Sequence, residues 1–179
     1  ETFRAVAGHT VDYVLRDLTH PDGGFYSAED ADSVPLERAG DPAARATEGA
    51  FYSWSAEEID AIAGPDADLV KLRFGIEPGG NAPHDPQGEF GTKNFLYAAR
   101  SIEAVAEATG RSAGAVAGAL SGAMARLFEA RRKRPRPHLD DKVLAGWNGL
   151  MIAALARAAR VWEADSDAST GALGRRCRE

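Results

Sequence analysis

Phe3, Val6, Ala7, Thr10, Val11, Val14, Leu15 and Leu18 recur at intervals of three and four. This spacing predicts one apolar stripe along an amphipathic helix that stops near His20-Pro21. Ser55-Ala56-Glu57-Glu58 has the form of a capping box and opens a short helix that closes at Gly64-Pro65. A second short helix is expected from Asp66 to Phe74, before Gly75. Ser101 is placed to cap a helix running through Thr109 to Gly110, and Ser112 to cap a longer one. In that longer helix Val116, Leu120, Ala123, Met124, Leu127 and Phe128 keep helical spacing up to the break at Arg134-Pro135-Arg136-Pro137. Asp140-Asp141-Lys142 is read as the start of the last and strongest helix, whose apolar band includes Val143, Leu144, Trp147, Leu150, Met151, Leu155 and Val161. Gly146 and Gly149 lie in its first two turns and cost about 1 kcal/mol each relative to alanine. Close helix packing or close approach of a ligand would offset that cost.

Two stretches break the helical rhythm. Gly23-Gly24-Phe25-Tyr26-Ser27 and Gly49-Ala50-Phe51-Tyr52-Ser53-Trp54 are short, glycine-led and aromatic, and are expected to pair as the strands of a β-hairpin. Glu29-Asp30-Ala31-Asp32-Ser33 follows the first stretch and Glu48 precedes the second, so carboxylates gather where the aromatic ribbon ends. That arrangement reads either as a polar-ligand site or as an exposed acidic turn. Residues 76–92 lack apolar rhythm and form a long loop in which His84, Asp85 and Glu89 are weak ligand candidates.

Charge narrows the partners. A net charge of −6 disfavours nucleic-acid binding by phosphate neutralisation. The basic run Arg131 to Arg136 is therefore read as a helix C-terminus that favours cations. No apolar run has the length of a membrane span and no signal peptide is visible, so the default expectation is a cytoplasmic protein. The single Cys177 offers neither a disulfide framework nor a cysteine metal site, and no metal or cofactor is expected. The chain opens inside a helical pattern and ends in an irregular basic segment, so both ends read as cut; 164–179 is expected to be a disordered tail.

Four blocks carry a resemblance: Gly23 to Ser33, Glu48 to Trp54, Gly88 to Asn94, and Arg134 to Leu150. In this order they are similar to the family of spermatogenesis-associated protein 20, a thioredoxin-domain-containing group, over about residues 1 to 163. The resemblance implies a mainly α chain forming the central part of an (α/α)6 toroid of the six-hairpin glycosidase-like class, with an inserted β-hairpin. It also implies an upstream thioredoxin-like domain and further toroid helices as partners outside this chain. Apolar helix faces should therefore be left uncovered.

Two functions from different classes follow. In the first, the toroid mouth binds a carbohydrate-like or other polar small molecule. Tyr26, Tyr52, Trp54 and Trp147 would offer aromatic faces, with Lys142 and Asn148 as further substrate contacts. Asp30, Asp32, Glu48, Asp140 and Asp141 would supply carboxylates for hydrogen bonding or proton transfer. If the protein is an enzyme, it would then be carbohydrate-active, glycosidase- or epimerase-like. In the second, the domain is a non-catalytic scaffold or interaction module for the thioredoxin-like domain, and the acids cap helices and brace loops. The first reading further expects the hairpin end and the start of the last helix to share one pocket.

Overall fold

The computed structural model describes residues 2–82, 85, 88, 90–163 and 174–177. Six α-helices are found among them: α1 (Thr2–Asp17), α2 (Ala56–Ala63), α3 (Ala67–Phe74), α4 (Ile102–Thr109), α5 (Ala113–Arg131) and α6 (Ala145–Glu163). Four two-residue strands accompany them: β1 (Ala28–Glu29), β2 (Asp32–Ser33), β3 (Thr47–Glu48) and β4 (Leu139–Asp140). The chain is mainly helical, with β2 and β3 forming a small hairpin. It divides into two compact units, a terminal one of Glu1–Asp30 with Leu139–Glu179 and a central one of Ala31–His138.

The central unit is organised by its helix caps and by one core. Ser55 accepts from the Glu58 N–H while the Glu58 side chain reaches back to the Ser55 N–H, so α2 starts on a complete capping box. α3 ends on Gly75 and α4 on Gly110, both in the left-handed region. Ser101 and Ser112 cap α4 and α5 through their hydroxyls. Arg126 of α5 donates to the carbonyls of Ile62 and Ala63 and pairs with Asp66 at 2.8 Å, which satisfies the carboxyl end of α2. α2, α3 and α4 pack against α5. Ile59, Val70, Val105, Val116 and Leu127 are fully buried between them, each worth about 1.5–3 kcal/mol of transfer free energy.

In the terminal unit α1 contributes Val11 and Leu15, and α6 contributes Leu155, Ala159 and Trp162, to a smaller cluster that includes Cys177. Part of the expected tail is thus described: Cys177 is buried in this cluster and Arg176 bonds Asp12 at 2.7 Å. Residues 164–173, 178 and 179 lie outside the described residues, as do His84 and Glu89.

Two expectations about local structure are corrected. The aromatic stretches do not pair with one another. β1 pairs antiparallel with β4, Ala28 opposite Asp140, and β2 pairs with β3, Asp32 opposite Glu48. Phe25 instead bridges Thr19, and Trp54 bridges Asn94. The reason lies in the glycines: Gly23 and Gly24 have φ of +96° and +85° and close a turn on His20, while Gly49, at φ +69°, accepts from the Tyr52 and Ser53 N–H groups. They are turn residues, and the strands fall beside them. Nor do Asp140 and Asp141 open the last helix. Asp140 belongs to β4 and α6 begins at Ala145, because Asp140 is drawn into the ladder with Ala28.

Candidate functional site

A cavity of about 320 Å³ opens in the central unit. The 3₁₀ turn Leu36–Arg38 brings Leu36 and Glu37 to it, β3 brings Thr47 and Glu48, and the capped start of α2 brings Glu58. The Phe90-to-Lys93 turn brings Phe90 and Lys93. Asp85 fixes that turn by accepting from the N–H groups of Phe90 and Gly91 at 3.0 and 3.1 Å.

Arg134 closes the floor. Its Nη1 donates to the carbonyls of Ala50, Phe51 and Ser53 at 3.3, 3.1 and 2.6 Å, and its Nη2 reaches Glu58 Oε1 at 3.0 Å. The guanidinium also stacks on the Trp54 ring, 3.9 Å from its centre. Burial pulls the Arg134 pKa below its ordinary value, opposed by the charges of Glu58 and Glu37. Glu58 is held at both oxygens, by Arg134 on one side and by the Ser55 N–H and Lys93 on the other. Lys93 Nζ lies 3.4 Å from Glu37 and 3.5 Å from Glu58. The Glu37 carboxyl is held below the ordinary carboxylate range first by its own backbone N–H, which burial opposes, with Lys93 adding to the lowering.

The sequence-predicted residues fall into both units. Asp32, Glu48, Tyr52 and Trp54 are in the central unit. Glu48 lines the cavity, and Asp32 is its cross-strand partner. Trp54 is 2% exposed and belongs to the core beneath Arg134. Tyr52 packs edge-to-face on Phe51 and under the Arg131 guanidinium. Tyr26, Asp30, Asp140, Asp141, Lys142, Trp147 and Asn148 are in the terminal unit. There Tyr26, Trp147 and Asn148 line a smaller cleft of about 110 Å³. Asn148 accepts from the Phe25 N–H at 2.7 Å and donates to the Phe25 carbonyl at 3.0 Å, so its amide is engaged by backbone. Lys142 pairs with Asp140 at 2.7 Å. The Asp140 carboxyl lies below its ordinary range because of Lys142 first and Ser27 second.

Sequence reasoning missed Glu37, Glu58, Lys93, Phe90 and Arg134 as pocket residues. Glu58 was legible only as a capping residue, and Arg134 only as one charge in a basic run. The available signal was that Arg134 lies beyond the end of α5, directly before Pro135, where complementing a helix dipole no longer explains it. Among the described residues no group of three or more His, Cys, Asp and Glu is placed to hold a metal, and no helix is long and apolar enough to cross a membrane.

No family model matches the chain. It is 37% identical over 169 residues to human spermatogenesis-associated protein 20, an alignment covering 87% of this chain and 21% of that protein. The mouse protein of the same name gives 37% over 168 residues, and the rat protein 38% over 173, each again with 21% of its length covered. The chain belongs to the spermatogenesis-associated protein 20 family. It spans about a fifth of the length of these relatives. Of the resembling blocks, Gly88 to Asn94 supplies Lys93 and Phe90 to the cavity, Glu48 to Trp54 supplies Glu48, Ala50 and Ser53, and the block opening at Arg134 supplies that arginine.

Proposed function

We propose that this member of the spermatogenesis-associated protein 20 family binds a carbohydrate-like or other polar small molecule in the central-unit cavity. One observation carries the reading: a space of about 320 Å³ where Glu37, Glu48, Glu58 and Lys93 face the same volume as the apolar side chains of Leu36 and Phe90. Small-molecule sites combine apolar walls with a few fixed polar groups in this size range. A sugar presents both kinds of surface, hydroxyls at its rim and C–H bonds on its face. In this reading the helices belong to an (α/α)6 toroid of the six-hairpin glycosidase-like class, in a cytoplasmic protein with a thioredoxin-like domain upstream. Should turnover occur, the carbohydrate-active class is the one proposed. Asp32 and Glu48 are the first carboxylates to test, because glycoside hydrolysis needs two acids across the scissile bond. Asp30, Asp140 and Asp141 remain further candidates.

The test is calorimetric titration of the full-length protein with neutral, amino and acidic sugars and nucleotide sugars. Replacing Phe90 with Ala and Glu48 with Gln, one at a time, is expected to weaken any binding found, and Glu48→Gln, at an exposed position, should change the unfolding free energy by no more than about 0.5 kcal/mol. Absence of binding across the panel would overturn the reading.

A scaffold reading is favoured by a different observation. Phe3 is 91% exposed in α1, while Trp147 and Leu150 are 59% and 73% exposed in α6, alongside Ile152 and Val161. Large apolar side chains left this exposed on two helices are candidates for cover by another element. The remaining four-fifths of the relatives' length is the proposed source of that cover.

A further inference from the structure

We infer that the ligand of the central-unit cavity carries a positive charge, an amine on a polar scaffold being the class that fits. The inference rests on the binding reading above. Three carboxylates, Glu37, Glu48 and Glu58, share the cavity wall with two cations, Lys93 and Arg134, so the wall carries an excess of negative charge. Neither cation is unpaired. The Arg134 side chain is 5% exposed and spends its donors on three carbonyls and Glu58. Lys93 lies between Glu37 and Glu58, which occupies those two acids as well.

Glu48 differs from every other charged group of the wall. It is exposed, it faces the cavity, and among the described residues no hydrogen bond or ion pair engages it. Its cross-strand partner is Asp32. Directly opposed positions of a ladder project to the same side, and like charges there repel. A ligand cation against Glu48 would be drawn by its open charge and would relieve that repulsion. A phosphate or carboxylate ligand would meet the same field and would have to compete with Glu37 and Glu58 for Lys93. Leu36 and Phe90 supply the surface against which the ligand's carbon skeleton can lie.

The experiment is titration calorimetry on the full-length protein at pH 7 with four probes: 2-amino-2-deoxyglucose, glucose, glucuronate and 1,4-diaminobutane. The aminosugar is expected to bind about fivefold more tightly than glucose, the range of one partly exposed ion pair. Glucuronate should bind most weakly. Glu48→Gln should weaken the aminosugar about fivefold more than it weakens glucose, which brings the two to the same level. Raising the salt concentration should shrink the wild-type preference in the same direction, which tests the charge even if the variant folds poorly. Glucuronate binding as tightly as the aminosugar would overturn the inference and leave the sugar reading standing. So would a preference that survives both Glu48→Gln and salt. Saturable, Glu48-dependent binding of the diamine without any sugar binding would uphold charge selection and remove the carbohydrate class. No binding by any of the four would remove both.

Discussion

Arg134 joins more of the central unit than any other side chain around the cavity. Its fork donates to three successive parts of the chain from Ala50 to Ser53, its face covers Trp54, and its charge meets Glu58. Replacing it with Ala leaves Glu58 without its buried partner and three carbonyls without a donor. The expected loss is about 3–5 kcal/mol, read as a fall in the denaturant midpoint. Lys in its place keeps the charge but not the planar fork, and should still lose ~1–3 kcal/mol. A variant within error of the parent would show that water replaces the guanidinium. Asp140 is governed by a weaker and more exposed contact. Its pKa is lowered in the folded chain, so its contribution is fully present above the ordinary aspartate value, about 4, and is lost as pH falls through the folded value. Lys142→Met should move the Asp140 carboxyl midpoint upward in an NMR titration. An unmoved midpoint would assign the lowering to Ser27 instead. Neither residue role was legible beforehand, because a sequence shows charge and spacing but not which charge becomes buried. Arg134 and its exposed neighbours Arg132 and Lys133 read alike until the fold separates them.

At the scale of elements, the helices were legible and the strands were not. Apolar spacing and the Ser caps located α2, α3 and α4 and the start of α5 to within a residue or two, since both signals are local and the caps satisfy backbone groups that any helix start leaves open, whereas α1 ends at Asp17, short of the expected stop at His20. Strand pairing is non-local, and two-residue strands carry too little pattern to betray their partners. The glycines that suggested strand starts are turns, as is Gly75 at the end of α3. Gly75 has φ +62°, and a Cβ there would stand 2.6 Å from the Tyr97 hydroxyl oxygen. Gly75→Ala should therefore destabilise the chain by about 1–3 kcal/mol from backbone strain and crowding together. The Tyr97→Ala background removes the crowding ring but not the strain, so part of the loss should be recovered there. Full recovery would mean that the left-handed backbone contributes little.

For the whole molecule, the chain is about a fifth of its relatives' length and carries large apolar side chains on exposed helix surface. The resemblance anticipated uncovered faces. What it left open was whether Gly146 and Gly149 serve packing or a ligand, since composition gives no neighbour to a glycine. Within the described residues a Cβ at Gly149 would meet nothing within 4 Å, and Leu150 and Ile152 beside it are exposed. The helix therefore bears the conformational cost of this glycine without a packing return inside the chain. Gly149→Ala should raise the stability of the 179-residue chain by about 0.5–1 kcal/mol, measured by chemical denaturation. In the full-length protein the scaffold reading predicts the opposite sign. If another helix lies against α6 there, the added methyl has to be accommodated in a packed contact, and overpacking costs about 1–3 kcal/mol. Opposite signs in the two contexts would establish α6 as a buried interface of the complete protein. The same gain in both would mean that Gly149 stays uncovered in the complete protein, and the case for the scaffold reading would then rest on the exposed apolar side chains of α1 and α6 alone.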